Sequence, residues 1–209
     1  MTPENLAACF TRSDGSYFFA RWGRPLAPVV FGVEDRTLAT VKGALEAVVT
    51  LADHEMADTD PELGANLLIF FVRSWQELLD TPGVGKLVPD LIPLVDTLRS
   101  RKANQYRIFR FDETGAIKAA FVFLKIDAGL AEVPADTLAL SEAAQTILLW
   151  SDTAFRDSGP LAQLPGDKGA ILRPDIAGII RAAYDPVLPA FADDAAHALR
   201  LHARLPRPA

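Results

Sequence analysis

The chain has 209 residues, of which 50% are hydrophobic and 23% are charged, and its formal net charge is -6. This composition is typical of one globular domain that buries a sizeable core, and it excludes a disordered chain. The acidic balance argues against nucleic acid as a partner, because phosphate binding needs clustered Lys and Arg. Cys9 is the only cysteine, which excludes an intramolecular disulfide.

The first half of the chain is predicted to alternate strands with helices. The run at 24–32 indicates a short strand, whose prolines suit the edge of a sheet. Apolar residues then recur at helical spacing, which predicts a long amphipathic helix over residues 36–56. Residues 66–73 are continuously apolar, as in a strand buried on both faces. A short helix at 75–79 and broken helices over 86–101, where two prolines fall, complete this half.

The second half is predicted to contain a hairpin and further helices. Segments rich in β-formers at 106–111 and 116–126 flank the turn sequence DETG, which indicates an antiparallel hairpin. Residues 153–169, with several prolines and glycines, are predicted to form a long loop. Three helices are predicted in this half, at residues 136–150, 174–184 and 193–204. With no repeat and no linker, the chain is predicted to be a single domain over residues 1–209.

Two apparent motifs do not carry the chemistry that they suggest. The sequence GVGK at 83–86 lacks the distal glycine and the Ser or Thr of a phosphate-binding loop. His54 and Glu55 begin an HExxH-like pattern, but Asp58 stands where the second zinc-binding histidine is required. Because the chain has only three histidines, a His-rich zinc site is nearly unavailable.

Residues 141–152 (SEAAQTILLWSD) resemble the active-site helix of the metzincin metalloproteases, whose pattern is HExxHxxGxxHD. The Glu and the final Asp of that pattern are kept at Glu142 and Asp152. The three histidine positions hold other residues: Ser141, Gln145 and Ser151. Downstream, the predicted helix that ends at Tyr184 is similar to the closing helix of such proteases.

Together with the upstream order of strands and helices, these motifs resemble an uncharacterised bacterial envelope family with a degenerate zincin-like fold. The resemblance is firmest over about residues 140–190. It implies an α+β, zincin-like domain, in which a mixed sheet packs against the long N-terminal helix and a degenerate active-site helix. It also implies a relict cleft built from Ser141, Glu142, Gln145, Ser151 and Asp152.

The same resemblance implies a metal-free domain that acts by binding. Ser and Gln are weak neutral ligands, so we expect no zinc, no other cofactor and no catalytic residue. A cleft beside a sheet edge suits an extended peptide or protein partner that adds as a strand. Two alternatives stay open: a metal-independent hydrolase that uses Glu142 and Asp152, and a dimerising structural module with Trp22 and Trp75 as anchors.

The sequence also bears on location. Its longest apolar run, at 67–72, is too short to cross a bilayer, so we expect no transmembrane segment. The first 20 residues carry no secretory pattern, which predicts a cytoplasmic protein as the chain stands. We expect an envelope or periplasmic location if a leader has been removed. The oligomeric state is left open.

Overall fold

The computed structural model describes residues 1–166 and 169–206, in which helices alternate with strands. The helices are α1 (Pro3–Ala8), α2 (Asp35–Leu51), α3 (Trp75–Asp80), α4 (Val84–Leu87), α5 (Leu91–Ser100), α6 (Ala128–Ala131), α7 (Ala135–Thr146), α8 (Pro174–Ala183) and α9 (Ala196–His202). The strands are β1 (Phe19–Ala20), β2 (Pro28–Phe31), β3 (Leu67–Val72), β4 (Gln105–Phe111), β5 (Ile117–Lys125), β6 (Leu161–Gln163), β7 (Ala170–Leu172) and β8 (Phe191–Ala192). No helix in these two ranges is long and apolar enough to span a membrane.

A mixed sheet of four strands, in the order β2-β3-β5-β4, forms the centre of the fold. β2, β3 and β5 are parallel, whereas β4 runs antiparallel to β5 as the other arm of a hairpin. The two central strands are buried on both faces, which explains their continuously apolar sequences. The α+β class and the mixed sheet predicted from the sequence are confirmed.

Helices cover both faces of this sheet. Alternate residues of β5 point to opposite faces, so Val122 and Leu124 join the core formed with α2 and α7. Phe121 and Phe123 join the core formed with α3, α4 and α5, where Trp75 packs against the sheet. Burying one such side chain stabilises the fold by roughly 1.5–3 kcal/mol. As a result, α7 lies next to β4 on the face of the sheet that α2 also covers.

The short elements differ from the sequence prediction. β6 and β7 pair within and just after the predicted loop, and α1, α6, β1 and β8 were not predicted. Strands of two or three residues are too short to show a period, so the pattern could not reveal them. Residues 167–168 of that predicted loop, and residues 207–209 of the predicted domain, lie outside the described residues.

Two predicted helices are shorter than their apolar patterns. α2 ends at Leu51 because Asp53 adopts a left-handed conformation, with φ 52°. Met56, which fits the helical spacing, instead bridges to Leu26 beside the sheet. α7 ends at Thr146, and Leu148, which was predicted to be helical, instead forms a bridge with Arg21. The predictions of β3, the β4–β5 hairpin, α3 and α8 agree with the structure to within about one residue at most ends.

Candidate functional site

The C-terminal end of α7 is held by two buried aromatic side chains. Trp22 Nε1 donates a hydrogen bond to the carbonyl of Thr146 at 2.9 Å. The hydroxyl of Tyr184 donates to the carbonyl of Ile147, also at 2.9 Å. The last carbonyls of a helix have no partner within it, so these bonds satisfy groups that burial would otherwise leave unpaired. The helix that carries the metzincin-like residues is therefore fixed against the core.

Glu142 lies in the interface between α7 and β4, and only 3% of it is exposed. Arg107 Nη2 of β4 donates to its Oε2 at 2.5 Å. The other oxygen, Oε1, has no hydrogen-bond partner among the residues that the structure describes, and neither does Arg107 Nε. Burial raises the pKa of Glu142, and the neighbouring Arg107 offsets that rise only in part. The carboxyl group of Glu142 therefore lies behind the guanidinium group of Arg107 and does not face solvent.

Arg107 is the partner of Glu142 that sequence reasoning missed. It lies in the middle of β4, whose sequence QYRIFRF alternates between the two faces of the sheet. Arg107 shares the α7 side with Gln105 and Phe109, and Gln105 Oε1 accepts a second bond from Arg107 Nη2 at 3.3 Å. Arg107 is a basic residue on the inward face of a strand, and a charged residue in such a position is usually paired. An acidic partner for Arg107 could therefore have been predicted from the strand pattern.

Ser141 and Gln145 occupy one edge of α7, one turn apart. Gln145 Nε2 donates to Ser141 Oγ at 3.0 Å, and both side chains are half-buried. The structure therefore brings together two of the three residues that stand at metzincin histidine positions. Their contact is an ordinary side-chain hydrogen bond on a helix surface.

Ser151 and Asp152 hold the N-terminal segment instead of meeting Glu142. The backbone N–H of Ser151 donates to the carbonyl of Cys9 at 2.8 Å. Asp152 is exposed, and its Oδ1 accepts from the backbone N–H of Ser13 at 2.9 Å. The Ser13 hydrogen bond lowers the pKa of Asp152. Among the residues described, no hydrogen bond joins Asp152 to Glu142.

A cavity of about 340 Å³ opens between α7, β4 and the N-terminal segment. Three of the five predicted cleft residues line it, namely Gln145, Ser151 and Asp152, whereas Ser141 and Glu142 do not. Its other main walls come from β4 and from the segment after α7: Arg107, Phe109, Trp150 and Phe155. Arg107 thus separates the cavity from Glu142.

A second cavity, of about 530 Å³, lies on the opposite face of β4. Its β4 wall is formed by Tyr106, Ile108 and Arg110, the residues that alternate with those of the first cavity. Pro93 and Leu94 of α5 form part of the facing wall. β4 is consequently flanked by a cavity on each face of the sheet.

The outer edge of β4 presents unpaired backbone groups. The backbone N–H of Lys125 donates to the carbonyl of Asn104, so these two residues form a hydrogen-bonded pair of the hairpin. The backbone N–H of Ala120 instead donates to the carbonyl of Asn66, on the side of β5 that faces away from β4. Antiparallel hydrogen bonding alternates along a strand, which directs the N–H and C=O of Gln105, Arg107 and Phe109 outwards. No strand within residues 1–166 and 169–206 pairs with this edge.

The histidines are used structurally. His54 Nε2 contacts the carbonyl of Arg24 at 2.9 Å. His197 Nδ1 contacts the hydroxyl of Tyr17 at 3.0 Å, and burial lowers the pKa of His197 to about 4. In the part of the chain that is described, no group of three or more His, Cys, Asp or Glu residues is placed to hold a metal ion.

The tryptophans predicted as possible dimer anchors lie inside the chain. Trp22 is fully buried and Trp75 is 3% exposed, and they belong to the two separate cores on either face of the sheet. The prediction that Trp22 and Trp75 could anchor a dimer is therefore wrong, because an anchor must reach the surface of the free chain.

Comparisons of the chain with family models, with curated proteins and with solved structures find no match. What distinguishes the site is therefore its own geometry: a buried carboxylate capped by Arg107, and an unpaired strand edge between two cavities.

Proposed function

We propose that this chain is a non-catalytic, zincin-like domain that binds an extended peptide or protein segment along the outer edge of β4. The observation that carries the proposal is the unpaired edge of β4 with a cavity on each of its faces. An added strand gains affinity from main-chain hydrogen bonds and specificity from pockets that take alternate side chains.

The two cavities match the alternation of such a ligand. A segment paired with Gln105, Arg107 and Phe109 would direct every second side chain towards α7, into the cavity of about 340 Å³. The side chains between them would point into the cavity of about 530 Å³ beside α5. Because one strand edge serves both, the ligand must be extended and not helical.

The zincin-like assignment is supported by the placement of α7. An antiparallel edge strand lies beside the helix whose sequence keeps Glu142 of the metzincin pattern. The metal-binding positions on this helix hold Ser141 and Gln145, whose neutral oxygen and nitrogen atoms are poor zinc ligands. Glu142 contacts Arg107, whereas a protease glutamate must face a water molecule that the metal activates.

The hydrolase alternative finds less support in this geometry. An acid and base pair must reach the same substrate, directly or through one water molecule. Glu142 is buried behind Arg107, whereas Asp152 is exposed and accepts a hydrogen bond from Ser13. These two carboxylates lack a common solvent-facing position, and a binding role needs neither of them to be reactive.

A proline at the strand edge tests the proposal. Peptides of about seven residues would be selected from a displayed library on the immobilised chain, and their affinity measured for Gln105→Pro and Gln105→Ala. Proline is tolerated on an edge whose N–H faces outwards, so Gln105→Pro removes a donor to the ligand without breaking the β4–β5 ladder. We expect it to weaken binding about tenfold, which corresponds to about one net hydrogen bond.

Gln105→Ala is the matched control, because it removes the same side chain and keeps the N–H group. We expect its affinity to stay within about twofold of the parent, and a chelator to leave binding unchanged. Equal affinities for the proline and alanine variants would contradict strand addition at this edge. Loss of binding on chelation would contradict a metal-free site.

A further inference from the structure

A crevice lies at the other side of the sheet, where β2 and β3 end. The chain leaves β2 at Gly32 and continues into α2 on one face of the sheet. It leaves β3 at Val72 and continues into α3 on the opposite face. Where the connections of adjacent parallel strands diverge in this way, the crevice outside their carboxyl ends is the usual ligand site of open sheets with parallel strands.

Next to this crevice, on the face of the sheet that α3 and α4 cover, lies a cavity of about 490 Å³ with apolar walls. Its lining is rich in large apolar residues, among them Phe31, Leu68, Phe70, Val72, Val84 and Leu87. Phe31 stacks on Phe70 with ring centroids 4.7 Å apart, although Phe31 itself is 42% exposed. Ligand pockets of roughly 300–1,000 Å³ with mainly apolar walls are typical of small-molecule sites.

Gly32 fixes the end wall of this cavity. Its φ is 80°, and a Cβ atom at this position would lie 2.1 Å from the carbonyl oxygen of Phe71. Any other residue would therefore push the ends of β2 and β3 apart. The close approach of the two backbones keeps the crevice at a defined width beside Phe31.

The rim carries one charge of each sign, and only the positive one, Lys86, has no side-chain hydrogen bond or ion pair with the described residues. Two charged residues line the cavity, Lys86 and Glu77. Glu77 Oε2 already accepts a hydrogen bond from the backbone N–H of Arg73 at 3.0 Å. Lys86 forms no ion pair with any residue in the described ranges. An apolar cavity with one uncommitted ammonium group is complementary to an apolar molecule that carries one negative charge.

We propose that this cavity binds a small apolar monocarboxylate, such as a fatty acid of medium length. Its hydrocarbon body lies against the stacked rings of Phe31 and Phe70, and its carboxylate pairs with Lys86 at the rim. This site is separate from the β4 edge and does not depend on the peptide-binding function.

Decanoate and decan-1-ol are the probes for the test, since they share one alkyl chain and differ in charge. Titration calorimetry, below the concentration at which decanoate forms micelles, should show one decanoate per chain with about tenfold preference over the alcohol. Lys86→Met keeps the length of the side chain and removes its charge. In this variant the affinity for decanoate should fall to that for decan-1-ol, and the affinity for the alcohol should stay unchanged.

A pair of charged variants on β2 tests the position of the site. Phe31 and Val29 lie on the same face of β2 and are 42% and 38% exposed, but only Phe31 lines the cavity. Phe31→Glu should abolish decanoate binding by placing a carboxylate in the cavity, whereas Val29→Glu should leave it within about twofold.

Three results would overturn the proposal. The first is the absence of saturable decanoate binding, and the second is equal loss of binding in Phe31→Glu and Val29→Glu. The third is a parent chain that sediments as a dimer, is dissociated by Phe31→Glu and does not bind decanoate. That result would make this face a contact between two copies of the chain.

Discussion

Asp60 and Glu142 are both 3% exposed, yet their surroundings differ. Asp60 lies in the loop before β3, and its Oδ1 accepts from the backbone N–H groups of Glu62 and Leu63. Its Oδ2 accepts from Asn66 Nδ2 at 2.9 Å and contacts Arg24 at 3.4 Å. Glu142 has only the bond from Arg107 to one oxygen, and its other oxygen has no partner in the described residues.

The two carboxyl groups consequently shift in opposite directions. Burial favours a higher pKa for Asp60, but the N–H groups of Leu63 and Glu62, the amide of Asn66 and the charge of Arg24 outweigh it and leave the pKa lowered. For Glu142 burial prevails, and its pKa is raised. Equal solvent exposure therefore does not fix the direction in which the pKa of a carboxyl group shifts, and the hydrogen-bond donors around the group must be counted as well. Both oxygens of Asp60 accept hydrogen bonds, whereas only one oxygen of Glu142 does so within the described residues.

The largest effect is expected at the Asp60 network. Asn66 is fully buried, and its amide bonds the backbone N–H of Ala27, the carbonyl of Pro25 and Asp60. Asn66→Ala leaves several buried groups unpaired at once, so we expect it to lower the free energy of unfolding by about 3–4 kcal/mol. Denaturant melts measure this loss.

Asn104→Ala provides the control for that variant, because Asn104 is half-buried and its amide, within the described residues, bonds only Asp127, at 3.4 Å. We expect a loss below about 1 kcal/mol for this change. If the two alanine variants were equally stable, the contrast between a completely bonded network and an ordinary polar contact would fail.

A smaller loss is expected at Glu142. Glu142→Ala removes the partner of Arg107 and leaves a small void, which should lower the free energy of unfolding by about 1–3 kcal/mol. The loss stays below that of Asn66→Ala because Arg107 lines the cavity beside β4 and can be hydrated there. A denaturant melt indistinguishable from the parent would show that the contact between Glu142 and Arg107 does not stabilise the fold, and would remove the basis for a relict site.

The sequence predicted the elements of this site better than the contacts within it. β3 and β5 have continuously apolar patterns because they are buried on both faces, and α8 has a helical apolar pattern because one of its faces is buried. The partner of Glu142 could not be read in this way, since Arg107 is 35 residues away and meets it only when β4 packs beside α7.

The two predicted cleft residues that follow α7 show the same limit. Ser151 and Asp152 follow α7 at the spacing of the metzincin pattern, but the N-terminal segment draws both towards Cys9 and Ser13. That segment contains α1, which was not predicted from the sequence. A sequence motif predicts where side chains lie along one helix. The positions of residues beyond the last turn of that helix depend on the segments that pack against them.

The smallest expected effect is the pH dependence of Glu142→Gln. Gln keeps the shape of Glu and can accept the bond from Arg107, so the loss of stability should be smaller than for Glu142→Ala at any pH. Below the usual pKa of 4.5, Glu142 is protonated in the folded and the unfolded chain, and the difference in stability between the two proteins should not depend on pH. Above 4.5 the unfolded chain releases this proton while the folded chain retains it up to its raised pKa. The parent therefore loses stability relative to Glu142→Gln as the pH rises through that window.

Asp60→Asn should show the opposite sign, because the lowered pKa of Asp60 stabilises the parent, and this advantage disappears as the pH falls below 3.8. Denaturant melts of the parent and of both variants, measured across this pH range, test the two predicted signs. If the free energy of unfolding changed with pH in the same way for the two variants, the two carboxyl groups would not differ as described.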